Sequence, residues 1–71
     1  MKGYRLSKAL QDHNSPPKMK QFVAEFDVMC ARYELSAEEA DAIARADLER
    51  LYELGANPYL IRFAFRDKFE R

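Results

Sequence analysis

The run Tyr59-Leu60-Ile61-Arg62-Phe63-Ala64-Phe65 follows Asn57-Pro58 and carries bulky apolar groups at almost every angle around a helix axis. A helix that is apolar all round is normally buried on all sides. The chain has 71 residues, close to the lower limit for unaided folding, and a domain of that size buries roughly 60% of its unfolded surface. So little protein cannot cover such a helix completely. Part of it must face something else, so the first functional expectation is contact with a partner rather than intrinsic chemistry.

At this size the hydrophobic gain nearly cancels the entropy of ordering, and small natural domains compensate with disulfides, metals or association. Cys30 is the single cysteine and His13 the single histidine, which excludes an internal disulfide and a zinc-ligand pattern. Association is the stabiliser that remains. Charge is balanced, twelve Lys and Arg against twelve Asp and Glu, so nothing draws the whole chain to nucleic acid or to an anionic membrane. No apolar run approaches the ~18–20 residues of a membrane span. Met1-Lys2-Gly3-Tyr4-Arg5 lacks the apolar segment of a secretory signal. The expectation is one domain over 1–71, cytoplasmic, with a reduced thiol.

Helical spacing recurs along the whole chain. Leu6, Ala9 and Leu10 share one face of a helix over Arg5 to Asp12. Ser15 and Pro16 then supply a cap and a first helical residue for a second helix. Met19, Phe22, Val23, Phe26, Met29, Cys30 and Tyr33 form one continuous stripe on it. Ser36 with Glu39 reads as a capping box for a third helix to about Arg45, with Ala40, Ile43 and Ala44 inward. On one long helix Asp47 would fall on the apolar stripe between Ile43 and Leu51; the preferred reading is a second break, with Asp47 capping a fourth helix, Leu48 to Leu54, with Leu48, Leu51 and Leu54 inward, and Gly55 ending it. Asn57-Pro58 starts the fifth, which frays through Asp67 to Arg71. The expected fold is all-α, a compact orthogonal bundle of about five short helices. Its interior should hold Met19, Phe22, Val23, Phe26, Met29, Ile43, Leu48, Leu51 and Leu60.

Few residues suggest chemistry. His13 reads as a surface imidazole beyond a helix end, with no nucleophile or orienting partner at a recognisable spacing. Cys30 lies on an apolar stripe, where a thiol packs and is inert. Glu38, Glu39, Asp41, Asp47 and Glu49 lack the alternating ligands and central glycine of a calcium loop and read as caps and solvated faces. Arg62, Arg66, Lys68 and Arg71 trace a basic stripe that Asp67 and Glu70 interrupt. The surplus aromatic surface is the stronger signal. Tyr59, Ile61, Phe63 and Phe65 are therefore the expected partner-facing or self-association surface, with no catalytic, metal or cofactor residue in the chain. On that assignment Phe65→Ala weakens association and leaves helicity nearly intact.

Lys2-Gly3-Tyr4-Arg5-Leu6, Phe22-Val23-Ala24-Glu25-Phe26-Asp27 and Tyr33-Glu34-Leu35-Ser36-Ala37-Glu38-Glu39 occur in that order, followed by Arg45-Ala46-Asp47 and Leu54-Gly55-Ala56-Asn57-Pro58-Tyr59-Leu60. Together they resemble the small, LigA-type alpha subunit of extradiol aromatic ring-opening dioxygenases, the protocatechuate 4,5-dioxygenase type. The resemblance implies an all-helical accessory subunit, non-catalytic by itself, packed over the active site of a large subunit. That large subunit would hold non-haem iron through two histidines and a carboxylate. The resemblance carries over no substrate-contacting residue, because the stretch that helps line the catalytic pocket in such enzymes would lie beyond Arg71. Pro58 and Arg62 also depart from that pattern, as in a shorter branch with another partner.

Two alternatives come from other classes. A similar helical domain occurs in the precursors of backbone N-methylated peptides (borosins), where it docks onto a methyltransferase. Asp67 to Arg71 make a poor substrate tail for such a precursor. A small helix-turn-helix DNA-binding protein would need outward Arg, Lys, Asn or Gln on its recognition helix. The fourth helix offers only Arg50 beside two glutamates.

Overall fold

A computed structural model describes residues 3–69. The described residues form seven helices and no strand: α1 Tyr4–Asp12, α2 Pro16–Ala24, α3 Phe26–Arg32, α4 Ala37–Arg45, α5 Leu48–Glu53, α6 Pro58–Ala64 and α7 Arg66–Phe69. The fold is all-α, as expected, but two of the five expected helices are each broken in two. The expected fraying at Glu70 and Arg71 lies outside the described residues.

Local signals start the helices. Ser15 accepts the Lys18 N–H ahead of the Pro16-Pro17 pair. The capping box forms in both directions, Glu39 N–H to Ser36 Oγ at 3.1 Å and Ser36 N–H to Glu39 Oε1 at 2.8 Å. Asp47 Oδ1 accepts the Arg50 N–H at 3.2 Å, so the predicted break before Leu48 is real. Asn57 Oδ1 accepts the Tyr59 N–H at 2.8 Å, with Pro58 in the first helical position.

Three ends share one chemistry. At Glu34, Ala46 and Gly55 the backbone turns left-handed, with φ of 54°, 52° and 98°. In each case the next amide reaches back five residues, Leu35 to Cys30, Asp47 to Ala42 and Ala56 to Leu51. These paired bonds satisfy carbonyls that a helix end would otherwise leave orphaned. Glycine makes such a turn without cost, whereas Glu34 and Ala46 each carry a strain of about 1 kcal/mol.

The second expected helix kinks at Glu25, whose φ of −117° and ψ of 42° leave the helical region. Met19 and Phe22 remain buried before the kink, while Phe26, Met29, Cys30 and Tyr33 are only partly buried after it. Val23 sat at the edge of the expected stripe and is 50% exposed, a correction to its interior assignment. In α4, Ala42 and Ile43 are buried, Ala40 is half-buried and Ala44 faces solvent. The face that α4 turns inward is thus centred one residue away from the expected one. Leu48 and Leu60 pack against the core without full burial, and Leu51 is completely buried.

The core gathers Leu6, Ala9 and Leu10 of α1, Met19 and Phe22 of α2, Ile43, Leu51, and Ile61, Ala64 and Phe65 at the C-terminal side. Helix α6 packs against α1, α2, α5 and α7. Two close contacts set α1 against the start of α6. Gly3 lies so close to the Gly55 carbonyl that a side chain there would overlap it, and Ser7 Oγ accepts the Asn57 N–H at 3.1 Å.

Phe65 ends α6 at φ −113°, ψ 35°, and is 5% exposed. Its ring is core, so Phe65→Ala is first a stability mutation. Truncating a buried phenylalanine costs about 3–5 kcal/mol, against a total of roughly 4–10 kcal/mol for a chain this size. Thermal unfolding followed by circular dichroism should show a drop of many degrees or loss of the transition. A melting point within a few degrees of wild type would contradict the burial.

Candidate partner interface

At 100° per residue, positions two apart on a helix point in nearly opposite directions. Tyr59 and Ile61 stand in that relation, as do Phe63 and Phe65, so no single face of α6 can present all four. Ile61 turns into the core at 4% exposure, and Phe65 joins it there. Tyr59 and Phe63, four residues apart, fall on the outer face at 72% and 52% exposure. Of the expected surface residues the structure brings Tyr59 and Phe63 together outside, and it places Ile61 and Phe65 within the chain's own interior.

Neighbouring aromatics widen this surface. The Arg62 guanidinium lies 5.8 Å from the centre of the Phe69 ring, a cation–π distance. Arg62, Phe63, Arg66 and Phe69 enclose one shallow depression. On the other flank of α6, Leu48, Tyr52, Pro58, Ile61 and Phe69 line a groove against α5. Tyr52 and Phe69 are 63% and 50% exposed, and neither was among the expected surface residues. Tyr52 was within reach of the pattern, because it follows inward Leu51 by 100°. Phe69 was not, since the break at Phe65 sets where it points.

One buried and several partly exposed titratable groups lie where the helices meet. His13 is buried at 7% exposure rather than on the surface. Its Nδ1 lies 2.9 Å from the Ala9 carbonyl oxygen, which places a donor on an orphaned acceptor at the end of α1. Its ring stands edge-on to Phe22 and Tyr33, with centroids 5.1 and 6.0 Å away. The Tyr33 hydroxyl donates to Asp12 Oδ2 at 2.6 Å and ties the end of α3 to α1. Burial and then the bond to Asp12 push the Tyr33 phenol up to about 12. The same bond, more than the nearby Lys8, holds the Asp12 carboxyl below its usual value. Burial, followed by the Asp27 charge, raises the Cys30 thiol, which keeps it protonated and unreactive. Among the described residues no three His, Cys, Asp or Glu side chains come together as a metal site.

The Asp12–Tyr33 bond has a pH signature. A depressed carboxyl stabilises the fold above its unfolded value of 3.8 and loses that contribution as pH falls through the lower folded value. A raised phenol stabilises below 10 and loses its contribution as pH climbs from 10 towards about 12. Tyr33→Phe should flatten both limbs of the stability profile and cost no more than about 1 kcal/mol at neutral pH, because the pair is solvent-exposed. Urea unfolding of both proteins from acid to alkaline pH checks this. Parallel profiles would contradict it.

No helix of the described residues is long and apolar enough to cross a membrane. No curated protein and no solved structure matches the chain. A protein family described as the aromatic-ring-opening dioxygenase LigAB, LigA subunit, does match, over residues 6–70. That span includes the α1 face, the capping box at Ser36, the Gly55 turn and all of α6. It favours neither the borosin-type docking domain nor the DNA-binding alternative. The chain belongs to the LigA-subunit family of aromatic-ring-opening dioxygenases.

Proposed function

We propose that this chain is a small accessory subunit of a ring-opening dioxygenase. It docks the outer face of α6 onto a larger catalytic subunit and leaves bond cleavage to that partner. The observation that carries this reading is the family match over residues 6–70. The outward pair Tyr59 and Phe63 supports it, since aromatic side chains concentrate at the centres of protein interfaces.

Non-haem iron held by two histidines and a carboxylate belongs, on this reading, to the large subunit. The residues of this chain do not fit that ligand set. His13 is the single imidazole, and its ring is packed between Phe22 and Tyr33 with Nδ1 on a backbone carbonyl. The chain's contribution is surface and shape. A rigid helical plate beside an active site can exclude water and fix the loops it touches, which strengthens electrostatic interactions within the site.

Co-expression with the large ring-opening dioxygenase subunit of the same organism tests this. A stable complex should form and should cleave catechols in the presence of ferrous iron. Tyr59→Ser combined with Phe63→Ser should weaken the complex by about tenfold or more, given the usual worth of interface aromatics, with helicity retained because both side chains are exposed. Absence of a complex, or a double variant that binds like wild type, would refute the assignment.

A further inference from the structure

The groove between α5, α6 and α7 opens on the flank of α6 away from Tyr59 and borders the docking face at Arg62 and Phe69, which also line the depression beside Phe63. It is open, encloses about 640 Å³, and is walled by Leu48, Tyr52, Pro58, Ile61 and Phe69. Its two sides carry opposite charge, Glu49 and Glu53 on α5 against Arg62 on α6. Glu53 is already paired, 3.6 Å from Arg50. Neither Glu49 nor Arg62 forms an ion pair among the described residues; Arg62 rests on the Phe69 ring.

We propose that this groove is a self-association face on which a second copy of the chain docks about a two-fold axis. Tyr52 and Phe69 would meet at its centre, with Glu49 of each copy against Arg62 of the other. A two-fold interface must be complementary to itself. In charge, an apolar strip with an acid on one side and a base on the other satisfies that condition, whereas a rim of one sign would repel its own copy. A second copy also brings no long-range repulsion, because the chain carries twelve charges of each sign. Around α6, Pro58, Ile61 and Arg62 are centred roughly 120° from Tyr59 and Phe63. Pairing through the groove therefore leaves Tyr59 outward, with Phe63 bordering the pair through Arg62 and Phe69, and the inference does not rest on the dioxygenase reading.

Sedimentation velocity on the 71-residue chain tests it, with Glu49→Arg, Arg62→Glu, an equal mixture of the two, and Tyr52→Ser, each checked for helicity by circular dichroism. Between roughly 10 µM and 1 mM, the range of a small and weak interface, the wild type should pass from monomer towards dimer. Each charge variant alone should associate about tenfold more weakly, as like charges then face each other. The mixture should recover wild-type association, because every charge contact in the mixed pair joins opposite signs again. Tyr52→Ser should weaken association irrespective of charge. A wild type that stays monomeric to about 1 mM, single variants that associate unchanged, or a mixture without recovery would each overturn the proposal.

Discussion

Burial of one side of α6 organises this chain. Ile61 and Ala64 enter a core shared with α1 and α2, Phe65 closes the helix from inside, and Leu51 meets them from α5. The apolar area taken from water there contributes on the order of 1.5–3 kcal/mol for each large side chain. That sum matters in a chain with no disulfide and a narrow stability margin. The contact of Gly3 with Gly55 and the bond from Asn57 N–H to Ser7 Oγ lock α1 against the start of the same helix. Geometry then leaves the other side of α6 outside, because residues two apart on a helix cannot share a direction.

This arrangement explains how a helix that looks too apolar for its domain can be both core and surface. The N-terminal helices, the kink at Glu25 and the left-handed turns at Glu34, Ala46 and Gly55 bring neighbours to the inner side only. Tyr59 and Phe63 remain as a two-ring stripe, flanked by Arg62 and by the half-exposed Phe69. The polar groups between the helices serve the scaffold. His13 closes the carbonyl of Ala9, and Tyr33 joins Asp12 across two helices. The chain belongs to the LigA-subunit family, and the proposed docking rests on that membership together with the exposed stripe.

Helix starts were the most legible part of the sequence. Ser15, Ser36, Asp47 and Asn57 all cap where their types and spacing predict, since a cap is a bond between near neighbours. The stop at Gly55 was legible for the same reason, but those at Glu34 and Ala46 were not. A left-handed residue other than glycine has no local signature, and tertiary packing over-determines it. The kinks at Glu25 and Phe65 were also hidden, because an unbroken apolar period continues through both. The second break sets Phe69 beside Arg62, and Val23, at the edge of its stripe, is exposed. Tyr59 and Phe63, expected outside, share one helix face at four-residue spacing and are exposed. Ile61 and Phe65 were misplaced because an all-round apolar helix does not say which of its sides the core will take.

The central claim is that α6 divides its aromatics between its own core and a catalytic partner. Hydroxyl-radical footprinting of the chain, free and in complex with the large subunit, reads that division side chain by side chain. The account predicts that Phe65 resists oxidation in both states, while Tyr59 and Phe63 are oxidised in the free chain and protected in the complex. Equal labelling of Tyr59 and Phe63 in the two states, or strong labelling of Phe65 in the free chain, would contradict it.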